Sequence, residues 1–385
     1  MKILSIETSC DDTAIAIADF RRGKNGVSVR VPSHIISSQA TIHAAFGGVV
    51  PNLARREHQK NLVPILCDVL SASGGKKKTR TKNGGDIDHI LEREQELLVF
   101  FRKHVLSLPP PDIDALAVTY GPGLAPALWT GVNFARALAT LWQKPLIPVN
   151  HMAGHFFSAL LKKRGKENTT YHIPDTKYPI LALLVSGGHT ELVLVKKPWR
   201  FTVIGETRDD AVGEAFDKVG RVLGLPYPGG PAISRLAQKG DPKKYPLPSP
   251  MLASKDYDFS FSGLKTAAFY LIRDLPPYET RSHRADIAAS FEKAALDVLV
   301  SKTVRAAQEH KARTVLIGGG VSANTVLRQR LGGTLGNTLP SARFMIPDLS
   351  LAGDNALMIA TAAYMTGMKK VPTTDVGTDA NARLD

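Results

Sequence analysis

A short apolar run, Leu4 to Ile6, gives way to a polar stretch from Glu7 to Thr13 and then to alternation through Ile15 and Ile17. That pattern predicts two strands joined by a polar turn. The plan returns in YPILALLVSGGHTELVLVKK, where the turn is Ser186-Gly187-Gly188-His189-Thr190 and the following strand alternates through Leu192 and Leu194. One such unit opens each half of the chain, which predicts a duplicated α/β architecture. Helical spacing appears between and after them. GPGLAPALWTGVNFARALATLWQKP repeats apolar residues at Leu128, Val132, Ala135 and Leu138. TRDDAVGEAFDKVGRVLGL places Val212, Ala215, Phe216, Val219 and Leu223 on one face and Asp210, Glu214 and Asp217 on the other. ADIAASFEKAALDVLVSKTVRAAQEH and LAGDNALMIATAAYMTGM are further amphipathic helices, with Asp354 at the position of an ordinary N-cap in the second. A third glycine turn, VLIGGGVSAN, follows an apolar strand and opens a helix.

Composition narrows the class. The 385 residues, 43% of them hydrophobic, can bury a large core and predict two domains. No apolar run of roughly 18 residues is present, so a soluble protein with no membrane partner is expected. Two cysteines, Cys10 and Cys67, cannot build a disulfide framework or a four-cysteine zinc site, which points to a reducing compartment and to His and carboxylate ligands for any metal. The sequon at Asn168 then carries no meaning. Lysine and arginine exceed the acids by 49 to 35, a formal charge of +14, so a polyanionic partner is expected, with nucleic acid favoured over membrane. Residues 71–111 stand apart: Lys76, Lys77, Lys78, Arg80 and Lys82 lie among glycines and threonines and read as a flexible inserted loop, followed by a short helical piece through Leu97 and Phe101.

The candidate chemistry starts at VNHMAGH. His151 and His155 are four apart, so on a helix both rings project from one face and can converge on a cation. Backbone N–H groups at glycine turns and helix N-termini bind anions, which makes the three glycine turns candidate phosphate sites. Neither a GxxxxGK[ST] loop nor a GxGxxG fingerprint occurs. The two hairpins and the glycine turns together resemble the actin, hexokinase and Hsp70 class. The expected fold is therefore a two-lobed actin-like (ASKHA) α/β fold, with duplicated RNase H-like domains around a nucleotide cleft. The expected division is 1–150 and 151–354, with a C-terminal helix over 355–385 returning to the first lobe.

The ordered motifs ETSCDDT, GPGL, NHMAGH, LLVSGGHT, DDAVGEAFDKVGR, PYPGGP, FSFSGLKT, LIGGGVSAN and GDNA resemble the TsaD family, the tRNA adenosine threonylcarbamoyltransferases, across nearly the whole chain outside 71–111. The resemblance implies transfer of a threonylcarbamoyl group from threonylcarbamoyl-AMP to the N6 amine of tRNA adenosine 37. It implies one divalent metal, iron or zinc, on His151, His155 and Asp354. It implies an adenylate held by Ser186, Gly187, Gly188, His189, Thr190, Asp217, Gly230, Ser234 and Asn324, with Asp11 as the catalytic acid of the first hairpin. Some relatives carry an acid where Ser234 stands, and the insertion is a second departure. The implied partners are tRNA, a separate synthase supplying the adenylate, and either a second copy or accessory subunits of the TsaB and TsaE kind. Basic charge and the insertion suggest a mitochondrial-matrix relative, with a cytoplasmic one as the alternative. Three other readings stand beside this one. An ATPase or small-molecule kinase of the same fold would use the glycine turns but has no need of the histidines. A metallopeptidase is opposed by Met152, which stands where HExxH enzymes have Glu. A scaffold that has lost its chemistry is opposed by the presence of every candidate residue.

Overall fold

The computed structural model describes residues 1–72, 85–165, 169–367 and 371–385, so the basic run Lys76 to Lys82 and Asn168 lie outside the described residues. The chain divides into two compact units. The first holds Met1–Ala40, Val49–Asp175 and Asp354–Leu384; the second holds Thr41–Gly48 and Thr176–Gly353, with the terminal Asp385.

In the first unit β1 (Lys2–Glu7), β2 (Asp12–Gly23), β3 (Gly26–Ser38), β4 (Ala115–Gly121), β5 (Leu146–Asn150), β6 (Lys162–Lys163) and β7 (Thr170–Pro174) form one sheet in the order β5-β4-β1-β2-β3-β7-β6. In the second, β8 (Ile180–Val185), β9 (Thr190–Val195), β10 (Phe201–Glu206), β11 (Thr314–Gly318) and β12 (Arg343–Met345) run β10-β9-β8-β11-β12. The duplication is visible in both order and sense. Each unit's first strand pairs antiparallel with its second and parallel with its fourth, and the fifth lies parallel beyond the fourth. The leading strands are covered on both faces, so β8 is buried at every position and reads as a continuous apolar run rather than an alternation.

The first core gathers Leu4, Ile15, Leu66, Leu116 and Leu138. Ile87, Leu91, Leu97 and Phe101 belong to the same cluster, so residues 85–105 are not part of a solvated loop: the helices Gly85–Ile90 and Gln95–His104 seal one side of this core. The second core surrounds Leu181, Phe216, Phe291 and Leu327. Two further expectations are corrected. The division falls between Asp175 and Thr176 rather than at 150/151, because β7 pairs with β3 and carries the His151 helix with the first unit. The returning C-terminal helix spans only Ala356–Thr366 and stops at Gly367, which takes the left-handed conformation that favours glycine. Among the described residues no helix is long and apolar enough to cross a membrane.

Candidate metal centre and anion-binding turns

The histidine helix, His151–Ser158, starts directly after β5, and Asn150 caps it by accepting from the Met152 and Ala153 amides at 2.8 and 3.2 Å. The helix Ala356–Thr366 packs against it. Its N-cap is Asn355, whose side chain accepts from the Met358 amide at 2.9 Å, and not Asp354 as the sequence position suggested. That shift leaves the Asp354 carboxylate for other partners. Asp354 Oδ1 lies 3.5 Å from His151 Nε2 and 3.2 Å from His155 Nε2. One ligand atom from each of the three residues falls within 4.8 Å of the others. Close helix packing makes this possible at Gly154, where a Cβ would stand 3.0 Å from both Ile359 Cδ1 and Met358 Cγ.

Behind His151 lies a buried carboxylate, Glu7, which accepts or shares a proton with His151 Nδ1 at 3.2 Å, while Ser9 Oγ lies 3.1 Å from the same nitrogen. Glu7 also accepts from the Ser9 amide and the Thr119 hydroxyl. This fixes the ring so that Nε2 faces Asp354, the usual device of a carboxylate orienting a ligating histidine. Burial pushes the Glu7 carboxyl up, but the charge and hydrogen bond of His151 more than reverse it, leaving it below its ordinary value. Burial opposes a charged His151, yet Asp354 and Glu7 outweigh it and its pKa is raised to about 9. His155 goes the other way, pulled down by burial. Among the described residues its Nδ1 has no hydrogen-bond partner, and its Nε2 has only the Asp354 carboxylate, 3.2 Å away. A fully buried imidazole whose one polar neighbour is the Asp354 carboxylate is costly, and two nitrogens and a carboxylate oxygen at this spacing suit a cation. The residues present therefore fit a divalent metal.

In the hairpin turn of this unit the sequence singled out Asp11, whose carbonyl accepts from the Gln39 amide. Its neighbour Asp12 is strongly perturbed. Burial first, and the Asp354 charge second, push its carboxyl up to about 7, and one of its oxygens is buried without a hydrogen bond.

In the second unit the SGGHT turn is closed by its own bonds: the Ser186 amide donates to the His189 carbonyl and the His189 amide to Ser186 Oγ, at 2.9 and 3.1 Å. Gly187 and Gly188 are exposed, and a Cβ at either would meet nothing, so space above the turn is open to a ligand. Thr190 is buried and its hydroxyl accepts from the Val212 amide at 2.9 Å, which caps the helix Val212–Val222. Gly213 lets that helix abut the turn; a Cβ there would lie 2.4 Å from the Ser186 carbonyl oxygen. Asp217 Oδ1 accepts from the Gly229 and Gly230 amides at 2.7 and 3.3 Å, so this carboxylate clasps the start of the helix Gly229–Ala237.

Ser234 and Asn324 meet on a residue that sequence reasoning missed. Glu292, 5% exposed inside the long helix Arg284–Glu309, accepts from Ser234 Oγ at 2.6 Å and Asn324 Nδ2 at 2.8 Å. Asn324 Nδ2 also reaches Ser234 Oγ, while its Oδ1 caps the helix Thr325–Thr338. A buried acid at a helical core position was the one available signal for Glu292.

A family model described as TsaD, tRNA N6-adenosine threonylcarbamoyltransferase, matches residues 30–82 and 101–361. Proteins of that name are similar over their whole length. The one from Thermomicrobium roseum is 41% identical over 100% of this chain and 96% of its own. The one from Moorella thermoacetica is 42% identical over 96% and 92%, and that from Enterococcus faecalis 39% over 95% and 90%. These relatives are bacterial and lend the mitochondrial expectation no support. Among solved structures, full-length HypF in its phosphate- and nucleotide-bound form matches with a TM-score of 0.51 and T. kodakarensis HypF with 0.54, each at 12% identity. This chain spans about half of each HypF chain, 46% and 49%, and the likeness speaks for the actin-like fold alone.

Proposed function

Because the chain belongs to the TsaD family, we propose that it transfers the threonylcarbamoyl group of threonylcarbamoyl-AMP to the N6 amine of adenosine 37 in tRNAs reading ANN codons. The amine nitrogen forms a bond to the carbamoyl carbon, the bond from that carbon to the phosphate oxygen breaks, AMP leaves, and the amine gives up a proton. The observation that carries this reading beyond the family match is the convergence of His151, His155 and Asp354 within 4.8 Å. Relatives named as transferases give no support to the ATPase or kinase alternative.

The N6 amine is a poor nucleophile because its lone pair is delocalised into the purine, so the protein must contribute mainly position and charge stabilisation. His151, His155 and Asp354 would hold one divalent ion, iron or zinc, since imidazole and carboxylate donors suit both. When bound, such an ion supplies Lewis acidity toward an acyl oxygen. Glu7 orients His151 for that task. Ser186 to Thr190 would receive the adenylate phosphate at the open glycine turn, and Asp217, Gly230, Ser234 and Asn324 its nucleoside. Thr190 and Asp217 act on this reading through the backbone they brace, since both side chains already bind amides. Asp11 is assigned to orient the amine or take its proton. The adenylate comes from a separate synthase.

The test is reconstitution with tRNA and threonylcarbamoyl-AMP made in situ by a synthase from threonine, bicarbonate and ATP, followed by mass analysis of tRNA nucleosides. Threonylcarbamoyladenosine should appear, and should vanish together with bound metal in the double variant His151→Ala, His155→Ala. Product formed at an undiminished rate by the metal-free double variant would sink the assignment of the metal site. Absence of product even with bacterial accessory subunits would sink the reaction.

A further inference from the structure

The first unit contains a cavity of about 540 Å³ that the proposed reaction does not use. Its walls are one face of the helix Ala125–Trp142, Arg55 of the helix Pro51–Ala72, and residues 89–94. That last wall lies in the stretch between the two matched segments of the family model, residues 83–100, so the cavity combines a family scaffold with a segment that the family model does not match. Its volume is that of a small-molecule or nucleotide pocket.

The chemistry of the lining favours an anion with a flat ring. Three guanidinium groups, Arg55, Arg93 and Arg136, face the carboxylates Glu92 and Glu94 and the imidazole of His89. Arg55 is occupied: it sits 3.8 Å from buried Glu94 and donates to the Arg93 carbonyl. Asn133 links the next two groups, donating to Glu94 at 3.1 Å and accepting from Arg136 at 3.3 Å, which fixes the Arg136 fork in place. Burial pushes the Glu94 carboxyl up despite Asn133 and Arg55, so its negative charge is the weakened member of this network. Glu92 lies 3.4 Å from His89 Nδ1. Among the described residues Arg136 Nε is buried with no hydrogen-bond partner, so Asn133 alone holds this guanidinium. Ala125 and Pro126 bring in the N-terminal turn of an 18-residue helix, whose dipole also favours negative charge. Trp129 supplies the ring surface and is 39% exposed, unusual for an indole with a packed cavity beside it.

We propose that this cavity binds a nucleotide, its base against the Trp129 indole and its phosphate between Arg93 and Arg136, either as a free nucleotide or as one residue of an RNA strand. Stacking on an aromatic ring tolerates any base, and guanidinium forks match phosphate oxygens, so the two contacts together define the class.

The experiment is tryptophan fluorescence of the full chain titrated with AMP and, separately, with a short oligoadenylate RNA, in the wild type and in Trp129→Leu and Arg93→Gln. Both substituted residues are exposed, and unchanged thermal melting would confirm that the variants fold. A saturable quench that is absent in Trp129→Leu and weakened about tenfold or more in Arg93→Gln is expected. The Trp129→Leu comparison also removes any signal from AMP at the adenylate turns, so the result stands apart from the proposed transfer reaction. If AMP suffices, the ligand is a free nucleotide. If only the RNA quenches, the ligand is a strand, and Arg93→Gln should then raise KM for tRNA while leaving kcat unchanged. No quench from either probe, or a quench equal in wild type and Arg93→Gln, overturns the proposal.

Discussion

Glu7 shows how much of the proposed metal centre depends on a residue that would never touch the ion. It is fully buried, it holds His151 Nδ1, and its charge is balanced by that imidazole. Replacing it with Gln keeps the shape and removes the charge. The expected result for Glu7→Gln is a metal affinity lower by roughly 10- to 100-fold, the usual effect of losing an orienting carboxylate, with the fold intact. Competition against a chelator of known affinity would measure it. An unchanged affinity would mean that Ser9 alone sets the ring. At this scale the sequence was legible where the chemistry was local. Two histidines four apart announce themselves, because helical geometry alone brings them together. Glu292 did not, since an acid in an amphipathic helix reads as solvent-facing until Ser234 and Asn324, far away in sequence, are seen to converge on it.

At the scale of elements, two glycines let helices come closer than any side chain would allow, and they differ in what a methyl would strike. In Gly154→Ala the new Cβ meets the side-chain atoms Ile359 Cδ1 and Met358 Cγ, which can move. Helix propensity would return up to ~1 kcal/mol and overpacking would cost about 1–3 kcal/mol, so a small net loss of stability is expected, with a larger loss of metal affinity as the two helices part. In Gly213→Ala the Cβ falls 2.4 Å from the Ser186 carbonyl, which is backbone and cannot rotate away. That substitution should cost more stability, on the order of 2–3 kcal/mol, and distort the SGGHT turn. Denaturant melts of the two variants would settle the order; equal losses would contradict it.

The strand β3 carries a separate pH effect. His34, opposite Ala16 of β2, has a buried Nε2 without a hydrogen-bond partner among the described residues, and burial pulls its pKa from an ordinary 6.5 down to about 4. The unfolded chain therefore takes up a proton below pH 6.5 that the folded chain refuses until about 4. Its contribution is complete above the unfolded value and is lost as the pH falls through this window, by up to about 3 kcal/mol. His34→Gln should flatten the fall in unfolding free energy between neutral and mildly acidic pH by that order. Equal pH slopes in variant and wild type would refute the effect.

Across the whole chain, the two sheets repeat one strand order, and both hairpins that lead them were readable as apolar runs broken by polar turns. The division between the units was not readable, because β7 joins β3 across more than a hundred residues and no local period records such a pairing. The helical piece through Leu97 and Phe101 was readable, but its packing into the core was not, because the basic run before it dominated the reading. Net charge is the property that belongs to no single element. A formal +14 on a protein whose proposed acceptor is RNA predicts that affinity for tRNA is carried largely by counterion release. With about four phosphate contacts, raising salt from about 50 to 200 mM should weaken tRNA binding on the order of 100-fold, along a straight line of log affinity against log salt. Filter binding across that range would test it. Because the threonylcarbamoyl-AMP site is small and local, KM for the adenylate should move far less over the same range. A flat response for tRNA, or an equal one for both substrates, would show that the excess charge serves something other than holding RNA.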